Sequence, residues 1–253
     1  MNLAERLRGG QTLFMAWSAI PDPLVGEFLA RTGFDAVTLN MQHGCHSTES
    51  VMRGVGAVAL AGKPAVVRVP VGRFDMASRA LDFGAKAVIA PMVNSLADAQ
   101  AFAAAMKFPP LGERSWGPTR VLAMQGGTDA QAYLQSANRD TLAIAMIETR
   151  AALAALDDIL GVDGIDGIFV GPSDFSIALS EGARVDPSDE AMLAVAGQVA
   201  RRADEAGKIP CTLAVTGPAA RRSVELGFRF VALGGDFGYL TAGATALLQS
   251  AKG

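Results

Sequence analysis

The stretch LAIAMIETRAALAALDDILGVDGIDGIFVGPSD, residues 142–174, carries one complete structural period of this chain. Residues 142–147 form an unbroken apolar run, short enough for a strand and apolar enough for one covered on both faces. Residues 151–160 have the Ala/Leu content of a helix, and residues 167–170 are a second short apolar strand. A strand, a helix and a like strand make a parallel crossover unit, because a parallel partner needs that long a return.

The same alternation extends to both ends. Strands are predicted at 12–17, 35–39, 65–69, 87–91, 210–214 and 230–233. Helices are predicted at 24–31, 49–61, 76–83, 96–106, 190–206, 218–226 and 243–251. Gly33, Gly84, Gly207 and Gly227 each follow a last helical turn, where glycine supplies the left-handed stop. Eight such units at about thirty residues each predict a closed parallel (β/α)8 TIM barrel, one domain over residues 1–253. Residues 108–140 break the rhythm with Pro109-Pro110, Gly112, Gly117-Pro118 and Gly126-Gly127, and read as a long functional or interface loop. Little chain follows the last helix, so the barrel is closed by this chain's own tail or by a neighbour's, exchanged between protomers.

Composition narrows the function. The 253 residues are 50% apolar and 19% charged with net charge -3, as expected of a compact α/β protein and not of a disordered or collagenous one. Twenty-two basic residues against twenty-five acidic ones, scattered along the chain, argue against nucleic acid as a partner. The apolar runs are far below the ~20 residues needed to span a bilayer, the N-terminus lacks a signal-peptide core, and Cys45 and Cys211 are too few for a disulfide framework. Cytoplasmic localisation and no membrane partner are the expectations. Nucleotide, P-loop, elbow-serine and zincin motifs are absent, so no nucleotide cofactor is expected.

In a parallel barrel the strand C-termini meet on one face, which holds the active site. Those ends carry Trp17-Ser18, Asn40 leading into Gln42-His43, Arg68, Glu148, and Gly171-Pro172-Ser173-Asp174. The opposite ends carry Asp35, Lys63, Lys86, Asp140, Asp166, Lys208 and Arg229, read as solvated charges serving stability. Glu148 is costly at the end of an apolar strand unless it pairs with Arg68 or Arg150 or holds a cation. Asp174 suits the first turn of a helix, where an acid offsets exposed amides. Together, two carboxylates from adjacent strands with no thiolate beside them suit a hard divalent ion, Mg2+, Mn2+ or Co2+. His43 is either a satisfied structural histidine or a general base, and its place at the mouth favours the base. Arg68 is either an internal ion-pair partner or an oxyanion binder. The amides at Gly171 and Ser173 suit a substrate carboxylate, and Gly234-Gly235-Asp236 is a weaker anion cradle. His46 and Cys45 read as local loop or cap residues, zinc being disfavoured for want of a second ligand pair. No lysine lies inside a strand, which disfavours a Schiff base.

The ordered set Gly33-Phe34-Asp35, Gln42-His43-Gly44, Val67-Arg68-Val69-Pro70, Pro109 to Ser115, Ile147-Glu148-Thr149-Arg150 and Phe169 to Asp174 closely resembles the HpcH/HpaI aldolase family over nearly the whole chain. The resemblance implies a metal-dependent class II pyruvate aldolase, a carbon–carbon lyase of aromatic or sugar acid catabolism. Its substrates would resemble 4-hydroxy-2-oxoheptanedioate or 2-keto-3-deoxy sugar acids, cleaved to pyruvate and an aldehyde. Glu148 and Asp174 would hold the ion, Arg68 the keto or enolate oxygen, His43 would transfer a proton, and amides near Ser173 and Asp174, with Gly171 and Pro172, would receive the pyruvate carboxylate. Trp17, Leu213 and Arg120 are candidates for the aldehyde pocket. The resemblance also implies a hexamer, a trimer of dimers that swap the last helix. Two positions depart from the family's pattern. Asn40 stands where an aspartate orients the histidine, and Met146 where a glutamine precedes the metal glutamate. An amide at 40 is expected to orient the imidazole without adding charge. Two alternatives stand beside this reading. A citrate-lyase-beta or phosphoenolpyruvate-type enzyme would draw on Arg114, Arg120 and Arg150 for phosphates, and a catalytically silent oxo-acid-binding barrel would need no turnover.

Overall fold

The predicted apolar runs pair side by side in sequence order and close into a cylinder. The computed structural model describes residues 1–127 and 129–253, with strands β1 (Leu13–Ser18), β2 (Ala36–Asn40), β3 (Ala65–Arg68), β4 (Ala87–Ala90), β5 (Leu142–Ile147), β6 (Gly167–Val170), β7 (Ile209–Ala214) and β8 (Phe230–Leu233). Every neighbouring pair is parallel, and β8 returns to β1 with Phe230 opposite Leu13. The helices are α1 (Leu3–Arg8), α2 (Pro23–Arg31), α3 (Thr48–Leu60), α4 (Phe74–Phe83), α5 (Leu96–Met106), α6 (Thr119–Met124), α7 (Ala130–Asp140), α8 (Arg150–Ala154), α9 (Leu156–Leu160), α10 (Pro172–Leu179), α11 (Glu190–Glu205), α12 (Gly217–Glu225) and α13 (Asp236–Lys252).

Strand alternation divides the core in two. One set of side chains, among them Met15, Val66, Ile144, Phe169 and Phe230, fills the cylinder. The other set, including Val37, Val67, Val88 and Val231, faces the surrounding helices. Each strand is therefore apolar on both faces, as the unbroken runs required. At the N-terminal end α1 seals the cylinder, with Leu3, Ala4 and Leu7 packed against the inner set.

Several boundaries differ from the sequence reading, each for a local reason. Residues 108–140 are not one loop: α6 and α7 form within them, and Thr128 lies outside the described residues. Pro118 and Asp129 open these helices, and Phe108, Val121, Tyr133 and Ala137 give them a small core of their own. The helix expected at 151–160 divides at Ala155 into α8 and α9. The last helix starts at Asp236 instead of 243, α1 was not anticipated, and α10 opens at Pro172 where the sequence suggested a first helical turn. The strand-entry charges are not merely solvated. Asp35 pairs with Arg6 at 2.7 Å, Asp166 with Arg8 at 2.7 Å and Lys107 at 2.6 Å, and Arg229 with Asp204 at 2.7 Å.

The tail helix stands apart from its own barrel. Asp236 is its one buried residue among those described, while Leu240, Leu247 and Leu248 are 60%, 76% and 55% exposed. The groove beside it is apolar, lined by Leu24, Val25, Phe28, Leu29, Tyr239 and Leu240. Among the described residues no helix is long and apolar enough to cross a membrane.

Candidate active site

The inward parity of the strands selects the polar residues that meet at the mouth. Val66, Met146, Phe169 and Cys211 point into the cylinder, so Arg68, Glu148, Gly171 and Leu213, two positions further on, share that parity. Asn40 follows Ala36 and Thr38 in the same way, and Trp17 follows Met15. Of the residues singled out from sequence, Trp17, Arg68, Glu148, Gly171 and Leu213 thus converge, while His43 stands on the loop after β2 and Asp174 in the first turn of α10.

Glu148 is 1% exposed and is in no ion pair with Arg68 or Arg150 among the described residues. Its Oε1 accepts from the amide of Met92 at 2.8 Å, and its Oε2 is buried with no hydrogen-bond partner. Burial pushes this carboxyl above its ordinary range, the Met92 amide opposes that shift, the negative field of Asp174 adds to it, and Arg68 opposes it. Gly171 makes the room: a Cβ there would come within 2.7 Å of Oε2 and 3.0 Å of the Met146 methyl.

Arg68 is 8% exposed, and burial lowers it to about 10 against the opposing fields of Glu148 and Asp174. Its guanidinium lies 4.8 Å from the centre of the Trp17 ring, and its Nε donates to Asn40 Oδ1 at 2.8 Å. The same Asn40 oxygen accepts from the backbone of Gln42 at 3.1 Å and of His43 at 3.4 Å. Asn40 therefore does not orient the imidazole, as expected from sequence; it fixes Arg68 and the backbone of the loop that presents His43. Gly44 completes the loop, since a Cβ would fall 2.3 Å from the Asn40 carbonyl. His46 lies in the loop just before the α3 N-cap Ser47 and is buried between the hydroxyls of Ser18 and Ser50, each 3.1 Å away. Burial lowers its pKa, partly offset by Asp236.

Asp174 stands exposed in the first turn of α10, whose N-cap Gly171 contributes no side-chain bond. The helix thus opens at the mouth with Pro172, Ser173 and Asp174 and leaves its first amides without a side-chain cap. Trp17 is held between Arg68 and the Phe169 ring, whose centre is 5.9 Å from its own. Leu213 packs from inside the cylinder and also borders a cavity of 520 Å³ between α11 and α12. Pro172 and Ser173 of the mouth border this mostly apolar cavity, but Arg68, Glu148 and Asp174 do not, and its charged lining residues are Glu190 and Arg222.

Other expectations disperse. Arg114 pairs with Asp82 at 2.6 Å and stacks on Phe108, Arg120 donates to the Met52 carbonyl, and Arg150 donates to Ala178 and Leu179. They form no joint phosphate site, and Arg120 leaves the aldehyde lining. At Gly234-Gly235-Asp236 the Gly234 amide donates to the Ala214 carbonyl, and the Asp236 carboxylate accepts from the amides of Ala19 and Ile20, each at 2.8 Å. Sequence reasoning missed Met92, whose contribution is a backbone amide; the one signal was Pro91 before it, a residue common ahead of a left-handed turn position.

The family model HpcH/HpaI aldolase/citrate lyase matches residues 13–242, which takes in all eight strands and every mouth residue named above. The chain belongs to this family. Among its HpcH/HpaI relatives, a hydroxypyruvate/pyruvate aldolase of Rhizorhabdus wittichii is 37% identical over 243 residues, covering 96% of this chain and 95% of its own. A 4-hydroxy-2-oxo-heptane-1,7-dioate aldolase of Salmonella paratyphi C is 32% identical, covering 96% and 91%. A solved HpcH/HpaI aldolase/citrate lyase family protein from Burkholderia cenocepacia J2315 superimposes with TM-score 0.89 at 28% identity, covering 99% of each chain.

Proposed function

We propose that this HpcH/HpaI chain is a carbon–carbon lyase that reversibly cleaves 4-hydroxy-2-oxo acids to an aldehyde and pyruvate, or a close 2-oxo acid such as hydroxypyruvate, with the help of a divalent ion. The observation that carries this reading is Glu148 Oε2, an acid oxygen buried at the mouth without a protein partner. An unpaired buried carboxylate is expensive, and a cation is the partner that removes the expense. Among the described residues no cluster of three or more His, Cys, Asp or Glu side chains surrounds it. Two carboxylates completed by substrate and water oxygens suit Mg2+, Mn2+ or Co2+, ions that readily keep non-protein ligands. Glu148 and Asp174 would hold the ion, which when bound withdraws electron density from the 2-oxo acid.

The chain's own residues supply the rest. The backbone N–H groups of Ser173 and Asp174, in the first turn of α10 behind Gly171 and Pro172, receive the substrate carboxylate. His43, directly or through water, takes the C4 hydroxyl proton; the C3–C4 bond breaks, the aldehyde leaves, and the electron pair passes into an enolate. Arg68, with Nε already fixed by Asn40, turns the rest of its guanidinium towards that developing charge. Return of a proton to C3 gives the 2-oxo acid. Trp17 and Leu213 line the side where the aldehyde departs. Lys107, the buried lysine, has its three donors taken by Asn138, Thr141 and Asp166, so a neutral nucleophilic amine is not what its surroundings favour. Assembly is part of the proposal: the exposed face of α13 and the groove along α2 suit another copy of this chain. So is cytoplasmic localisation, which suits two unpaired cysteines.

The test is pyruvate release from a 4-hydroxy-2-oxo acid in EDTA and after adding Mg2+ or Mn2+. Turnover is expected only with the ion restored, and borohydride with pyruvate is expected to leave activity intact. Turnover that ignores EDTA, or covalent capture by borohydride, contradicts the reading; no turnover under any ion favours a silent binding barrel.

A further inference from the structure

Among the described residues, Met92 and Glu181 are the non-glycine residues held at positive φ, both at 55°. Glu181 sits in an exposed turn after α10. Met92 is different: it follows β4 at the mouth of the barrel, directly beside the acid that the proposed function depends on. A side-chain-bearing residue in the left-handed region costs about 1 kcal/mol or more, and such strain persists only where the surroundings impose it. Here it turns the Met92 amide inward, where its N–H donates to Glu148 Oε1 at 2.8 Å.

That one bond separates the two oxygens of Glu148. Oε1 is committed to the backbone, while Oε2 stays buried and unpartnered, in the space that Gly171 leaves by lacking a Cβ. Without the amide, the carboxylate would be free to rotate and either oxygen would face the mouth.

We propose that Met92 is a positioning residue for Glu148: its left-handed backbone fixes one carboxylate oxygen and thereby presents the other to a divalent ion. This rests on the metal-dependent reading above. The side chain of Met92, 37% exposed, is incidental to the role; the backbone conformation is what acts.

The test compares Met92→Gly with Met92→Ala, reading the thermal midpoint of the metal-free chain and the dissociation constant for Mn2+ measured without substrate. Glycine occupies the left-handed region without strain but is not confined to it. Met92→Gly is therefore expected to raise the midpoint by about 2 °C while weakening Mn2+ about fivefold, two changes of opposite sign that a purely structural role would not give. Met92→Ala, which removes only the side chain beyond Cβ and keeps methionine's narrow backbone freedom, is expected to hold Mn2+ within about twofold of the starting chain. Equal Mn2+ affinity in the glycine variant overturns the proposal alone, and so does a fall in both stability and affinity. Failure of the unsubstituted chain to bind Mn2+ overturns the metal reading, and the proposal with it.

Discussion

The carboxyl of Glu148 gives up water over nearly its whole surface, and only one of its oxygens receives a protein donor in return. Arg68 makes a similar sacrifice, with an amide oxygen at Nε and an aromatic face in place of a direct counter-charge. Both groups are therefore set up to respond to what enters the mouth. Arg68→Ala is expected to lower kcat/KM about a hundredfold, roughly 3 kcal/mol of transition-state stabilisation, in steady-state pyruvate release. His46 yields a prediction of another kind. Its pKa in the folded chain lies below the 6.5 of the unfolded one, chiefly through burial between Ser18 and Ser50, with Asp236 opposing. Below pH 6.5 the unfolded chain then takes up a proton that the folded chain refuses. Stability from this residue is complete above pH 6.5 and declines as pH falls below it. Urea unfolding at pH 7.5 and 5.5 should show this decline, and His46→Asn should make it shallower. At this scale sequence identified the charges but not their partners. Arg68, Glu148 and Asp174 stood out because a charge closing an apolar strand, or opening a helix after one, is conspicuous. The amide of Met92 was invisible because it belongs to an apolar residue, and the resemblance led to the imidazole as the partner of Asn40, whose oxygen instead accepts from Arg68 and the backbone of residues 42 and 43.

Elements were legible where hydrophobic period and caps agreed. Strand β5 and helix α5 fall on their expected residues because an uninterrupted apolar run and a Ser95 cap leave little choice. The 108–140 excursion was opaque for the opposite reason: its prolines and glycines punctuate two short helices that are stabilised by tertiary contact, with Tyr133 packing edge-on to Phe108 and Arg114 stacked above that ring. Lys107 binds this excursion to the barrel. Its ammonium, 1% exposed, donates to the carbonyls of Asn138 and Thr141 and to Asp166, joining the end of α5, the end of α7 and the start of β6. Lys107→Ala removes the cation and leaves those acceptors buried. We expect it to destabilise the chain by about 3 kcal/mol, seen as a lowered urea midpoint with unchanged slope.

At the scale of the molecule, the parallel barrel explains how residues far apart in sequence share one mouth: each strand presents its inward C-terminal residue to the same opening. That geometry was readable from the alternation of apolar runs and helices, since few other folds accept eight such units. The placement of the tail was not, because an Ala/Leu-rich helix will bury itself against whatever apolar wall is near. Leu247 and Leu248 are left largely exposed, and Phe28 of α2 is 68% exposed across the bare groove. If a second copy covers these faces, Leu247→Asp with Leu248→Asp should shift light scattering to a smaller species, whereas an unchanged mass would contradict that assembly. Whether two acids share one ion is read by anomalous diffraction from a crystal soaked with Mn2+ and pyruvate. One strong peak is expected, touching Glu148 Oε2, the Asp174 carboxylate and the ligand. A mouth with pyruvate bound but no such peak, or a peak away from both acids, would contradict it.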